Sequence, residues 1–148
     1  MNNSTPASTD RARVKRPERA QIEWRPMALD QFLPSDHRAR VVWAYVDSLD
    51  LGPLYAKIRA VEGEVGRDAV DPKILMALWM FATIEGISSA RQLDRLCKRD
   101  LAYMWICGGV GVNYHLLSDF RTDHGDFLDQ LLTDTVATLM HQGLVTLE

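Results

Sequence analysis

An all-α fold, a compact multi-helix domain with a helix-turn-helix-like arrangement, is predicted by three features of the sequence. Apolar residues recur at helical spacing in one stretch after another. Turns rich in Gly, Ser and Asn separate those stretches. No run alternates as a strand would, and there is no hairpin signal or internal repeat. The length, 148 residues with 47% apolar, suits one domain that forms its core without staples.

The first stretch, "MNNSTPASTDRARVKRPERA", is polar and carries Pro6, Pro17 and a basic cluster at Arg11, Arg13, Lys15 and Arg16. It cannot bury enough apolar surface to order itself, so residues 1–20 are expected to be a disordered basic tail. The helical domain is expected to fill 21–148.

"SDHRARVVWAYVDSLDL" predicts a first core helix, capped by Ser35 or Asp36, with Val42, Tyr45, Val46 and Leu49 on its inner face. "GPLYAKIRAV" follows as a second helix, with Pro53 in its first turn and Leu54, Tyr55, Ile58 and Val61 inward. "EGEVGRDAV" is a charged loop. In "DPKILMALWMFATIEG" Asp71 caps, Pro72 opens and Gly86 ends a helix that is apolar on every side from Ile74 to Ala82. Such a helix belongs at the centre. Trp79 and Phe81 are its large core residues.

"SSARQLDRLCKRD" then predicts a two-faced helix capped by Ser88 or Ser89. At 100° per residue, Arg91, Arg95, Lys98 and Arg99 fall within about 100° of one another. Leu93, Leu96 and Cys97 lie on the far side. "DLAYMWICGG" continues as a short helix ending at Gly108-Gly109. Asn113 caps "NYHLLSDFRTDH", and Gly125 is expected to kink or interrupt the helix before "DFLDQLLTDTVATLMHQG". Phe127, Leu128, Leu131, Leu132 and Val136 form the apolar side of that last helix, and Gly143 stops it. Short helices joined by tight turns and packed on a long apolar one suggest helix-turn-helix geometry.

Charge is divided along the chain. Residues 1–40 carry eight Lys/Arg against five Asp/Glu, a balance of +3, and residues 41–148 carry nine against fifteen, a balance of −6. A polyanion must therefore be met locally, by the basic arm, by the helix at 88–100, or by both. Cys97 and Cys107 stand ten apart, which is no zinc spacing, and read as small side chains in apolar surroundings. The polar N-terminus is no secretory signal, and the longest apolar run, Ile74 to Ala82, is too short for a bilayer. A cytoplasmic protein without a membrane partner is expected.

Two sets of side chains are candidates for DNA. Arg91, Gln92, Arg95, Lys98 and Arg99 form the first, with cations for phosphates and Arg91 and Gln92 able to reach base edges. Tyr114, His115, Ser118 and Arg121 form the second, if "NYHLLSDFR" is the helix that enters the groove. Asp119, Asp123 and Asp126 share a helix face and could hold magnesium, but nothing supplies a second wall, and a solvated acidic face is the expectation. His37, His115, His124 and His141 form no metal motif. No phosphate loop or nucleophile elbow occurs, so neither catalytic nor metal-binding residues nor a small-molecule substrate are assigned.

The ordered pieces "DPKILMALWMFATIEGISSARQLDRLCKRDLAYMWICGG", "NYHLLSDFRTDHGDFLDQLL" and "GLVTLE" resemble the N-terminal domain of bacterial insertion-sequence transposases of the InsH type, from about Trp24 onward. The resemblance implies a helical module that recognises terminal inverted repeats. It also implies a separate RNase H-like domain whose Asp-Asp-Glu triad binds Mg2+ and cuts DNA. That domain is expected to begin just after "GLV", so this chain is expected to lack it, to be no enzyme by itself and to need no cofactor. Double-stranded DNA is the partner implied, with full-length transposase or a second copy beside it. The alternative function is a protein–protein module, for oligomerisation or interdomain packing, without DNA contact.

Overall fold

A computed structural model describes residues 12–58 and 69–141. Among them the regular structure is entirely helical: a 3-10 turn at Leu29–Phe32 and the helices α1 (Arg38–Ser48), α2 (Gly52–Tyr55), α3 (Pro72–Ile84), α4 (Ala90–Arg99), α5 (Leu101–Cys107), α6 (Tyr114–Asp123) and α7 (Gly125–His141). None of these is long and apolar enough to cross a membrane.

α3 is the hub. Asp71 accepts the Lys73 N–H at 2.9 Å, and Pro72 occupies the first turn, where its missing N–H costs nothing. Every residue from Ile74 to Ala82 is buried. The helix ends in a Schellman arrangement: the Gly86 N–H reaches Thr83 O, and the Ile87 N–H reaches Ala82 O at 2.7 Å. Gly86 sits at φ 77°, which a residue with a Cβ adopts only under strain. Around α3 pack α1, through Ala39, Val42 and Val46, α5, through Ala102, Tyr103 and Ile106, and α7, through Leu128. Fully burying each large aliphatic or aromatic side chain stabilises by roughly 1.5–3 kcal/mol, which is why this shell holds its outer helices firmly.

Several sequence expectations change. α1 is capped by neither Ser35 nor Asp36 but by His37, whose Nδ1 accepts the Ala39 N–H at 3.0 Å. The preceding turn at 35–36 places those two residues outside the helix. α2 is only one turn long, and Tyr55 is exposed; its hydroxyl donates to Asp71 instead of entering the core. Phe127 is also exposed, because α7 turns Leu128 into the core, with Leu131 and Leu132 partly buried against it. Val61, Gly143, most of the 62–70 loop, residues 1–11 of the expected tail and the side chain of Val136 lie outside the described residues.

Candidate nucleic-acid interface

α4 is capped by Ser89, not Ser88: the Ser89 hydroxyl accepts the Gln92 N–H at 3.3 Å. Leu93 is fully buried and Leu96 and Cys97 half-buried, so the helix lies on its apolar side. Arg91, Gln92, Arg95, Lys98 and Arg99 are all exposed along the opposite side. The Cys97 thiol shares a hydrogen bond with that of Cys107 at the end of α5, and this bond, with burial, holds the Cys97 thiol above its ordinary range.

Asp94 sits at the edge of the ridge and is 7% exposed. Its Oδ1 meets the Lys98 ammonium at 2.6 Å, and its Oδ2 accepts the Tyr114 N–H at 2.8 Å. The Lys98 bond, chiefly, holds this carboxyl below its usual range, against the opposing effect of burial. Lys98 therefore carries a partly neutralised charge. Arg91, Arg95 and Arg99 have no carboxylate partner among the described residues.

α6 meets α4 at its N-terminal end. Asn113 caps it by accepting the Leu116 N–H at 2.9 Å. The Arg91 guanidinium lies over the Tyr114 ring at 4.7 Å, and the Tyr114 and His115 rings stand 4.0 Å apart. Arg91, Tyr114 and exposed His115 thus form one continuous patch, joining the two sets of residues that the sequence offered as alternatives. Ser118 is half-buried one turn further along. Arg121 lies elsewhere. Its guanidinium stacks on the Trp79 ring at 4.2 Å and donates to the Ser88 carbonyl, which ties α6 to α3 and to the loop before α4.

Sequence reasoning missed Asp94 as the link between the helices. Its i, i+4 spacing to Lys98 was visible as an ion pair; its bond to α6 was not. It missed Asp100 as well, which stands between α4 and α5 in extended conformation and caps α5 by accepting the Ala102 N–H at 2.9 Å. Among the described residues no group of three His, Cys, Asp or Glu side chains is placed to hold a metal ion, and Asp119, Asp123 and Asp126 are exposed. The break between α6 and α7 puts Asp126 on a different helix from Asp119 and Asp123, so the three do not share the single helix face that their spacing suggested.

The fold and this surface define an all-helical module with a cationic helix displayed on its outside. The chain belongs to the transposase domain family DUF772, whose model matches residues 27–123, from the end of the N-terminal arm through α6. Comparison with curated proteins and with solved structures gave no match.

Proposed function

We propose that the chain is the DNA-binding module of an insertion-sequence transposase, recognising the element's terminal inverted repeats, while a separate catalytic domain cuts the strands. One observation carries this reading. Three arginines with no carboxylate partner among the described residues, Arg91, Arg95 and Arg99, stand in a row on a helix whose other side is anchored in the core.

From Arg91 to Arg99 the helix rises about 12 Å, close to the roughly 12 Å width of the major groove. Cations at both ends can therefore reach phosphates on the two walls, fixing position without reading sequence. Gln92 and His115, exposed beside Arg91, are then at hand for base edges. The basic residues Arg13, Lys15, Arg16 and Arg19 of the N-terminal arm add charge for a neighbouring stretch of backbone. Acting on DNA, such a module works in the cytoplasm, and it takes no cofactor or metal of its own.

The test is a salt-titrated anisotropy measurement on inverted-repeat and scrambled duplexes. The expected result is tighter binding to the repeat, with affinity falling as salt rises at about 0.9 log units per log salt for each phosphate contacted. Arg95→Glu with Arg99→Glu should abolish it. Absence of salt-dependent binding, or unchanged affinity in the double variant, overturns the proposal.

A further inference from the structure

The stretch before the 3-10 turn carries apolar side chains that none of the described residues covers. Ile22 is 97% exposed, Trp24 90% and Met27 52%. In an extended segment Ile22 and Trp24 fall on one face, while Glu23 and Arg25 take the other and pair with each other. The side-chain bonds of this arm are local ones, Glu18 to the Ala20 N–H and Gln21 to Glu23. A tryptophan alone can bury roughly 150–250 Å².

The body has a groove that suits such a segment. Its cavity of about 450 Å³ is walled by Leu29, Trp43, Ile74, Trp105 and Val110, with Asp30 and Asp71 at its rim. Val110 is 40% exposed. Charge favours the pairing as well. Arm residues 12–28 hold five Lys/Arg and two Glu, whereas the described body, 29–58 and 69–141, holds nine Lys/Arg and thirteen Asp/Glu.

The geometry points to a second copy of this chain as the occupant: the arm of one copy lies in the groove of the other, with Ile22 and Trp24 inserted against Trp43 and Trp105. A fold-back within one chain is disfavoured because Leu29, five residues after Trp24, is itself a groove wall. The intervening Pro26 restricts the backbone and Ala28 is extended at φ −70° and ψ 145°, so the short link does not turn back on itself there, and no residue of 12–28 lines the groove. Reciprocal exchange makes every contact twice around a two-fold axis, and swapping a segment in this way is a low-cost route to a dimer. The inference does not depend on DNA binding.

Sedimentation equilibrium of the full chain without DNA, over a wide concentration range, tests it. A monomer–dimer equilibrium is expected. Trp24→Ala and Val110→Glu, both at exposed positions, should each weaken it by at least about tenfold, or 1.4 kcal/mol, and added salt should weaken it further. Circular dichroism checks that both variants remain helical. A monomer at every concentration overturns the inference, and so does a dimer indifferent to both variants. Concentration-independent exchange protection of residues 21–27 would show the arm docking on its own chain, which also overturns it.

Discussion

The carboxylate of Asp94, on α4, accepts the first backbone N–H of α6, that of Tyr114, at 2.8 Å. An N–H at a helix start has no partner within its own helix, so this bond both satisfies a donor and fixes where α6 begins relative to the basic helix. The same carboxylate holds Lys98. Asp94→Ala is expected to cost about 2 kcal/mol in urea unfolding, the range for hydrogen bonds to a charged group. Asp94→Asn should cost about half as much, because the amide oxygen still accepts from Tyr114. Lys98 is 66% exposed, so Lys98→Ala should stay within about 1 kcal/mol.

Acid should weaken the fold through the same group. The Lys98 bond, chiefly, holds the Asp94 carboxyl below its usual range. Asp30 is lowered in the same way by its bond to Arg40 and, next, to the Trp105 indole. A depressed carboxyl contributes its full stability above its unfolded value, about 3.9, and loses it as pH falls through the folded value. Stability is therefore expected to be flat in this respect above about pH 4 and to decline below it. Asp94→Ala should flatten part of that decline, as read by thermal unfolding at stepped pH. An unaltered acid profile in that variant counts against the linkage.

Arg40 should prove the main fastener of the N-terminal segment. Its guanidinium donates to Pro34 O and Leu33 O, each at 2.8 Å, to Asp30 Oδ1 at 2.8 Å and to Asp30 O, and it stacks on Trp105 at 4.9 Å. A lysine has one nitrogen on a flexible stem and cannot serve this set of acceptors. Arg40→Ala is expected to lose about 2 kcal/mol, and Arg40→Lys to recover little of it. Hydrogen exchange at Gln31, whose N–H bonds to Ala28 O, should quicken in both. Full rescue by lysine would show that charge alone matters.

The sequence made the helices legible where their causes are local. Pro72, the unbroken apolar run to Ala82 and Gly86 define α3; Asn113 defines the start of α6; and the spacing of Arg91, Arg95 and Arg99 against Leu93 orients α4. What it hid depends on which element lies opposite. Asp94 looks like one more surface acid until α6 brings a bare N–H to it. Nothing near Arg40 indicates four acceptors gathered from residues 30–34. Arg121 is the same kind of residue as Arg95, and only the proximity of Trp79 turns it to the fold. Periodicity tells which face of a helix is buried; it does not name the partner.

Arg121 separates stability from binding. Its stack on Trp79 and its bond to the Ser88 carbonyl belong to the packing of α6 on α3. Arg121→Ala is expected to lower stability by about 1–2 kcal/mol. Its DNA affinity should change less than about threefold, or 0.6 kcal/mol, when measured well below the unfolding temperature. A large loss of affinity at full folding would place α6, not α4, against the phosphates.

The cations of α4 should not contribute equally to DNA binding. Arg95 and Arg99 have no ion-pair partner among the described residues, so each phosphate contact they make releases counterions in full. Lys98 already faces the buried Asp94 carboxylate at 2.6 Å, and to reach a phosphate it must share or leave that bond. Arg95→Ala and Arg99→Ala are each expected to flatten the slope of log affinity against log salt by about 0.9, and Lys98→Ala by clearly less. Asp94→Asn frees the Lys98 ammonium while keeping an acceptor for Tyr114, so it should strengthen binding and steepen the slope. A Lys98 effect equal to that of Arg95, with no gain from Asp94→Asn, would mean that the ion pair does not persist when DNA is bound.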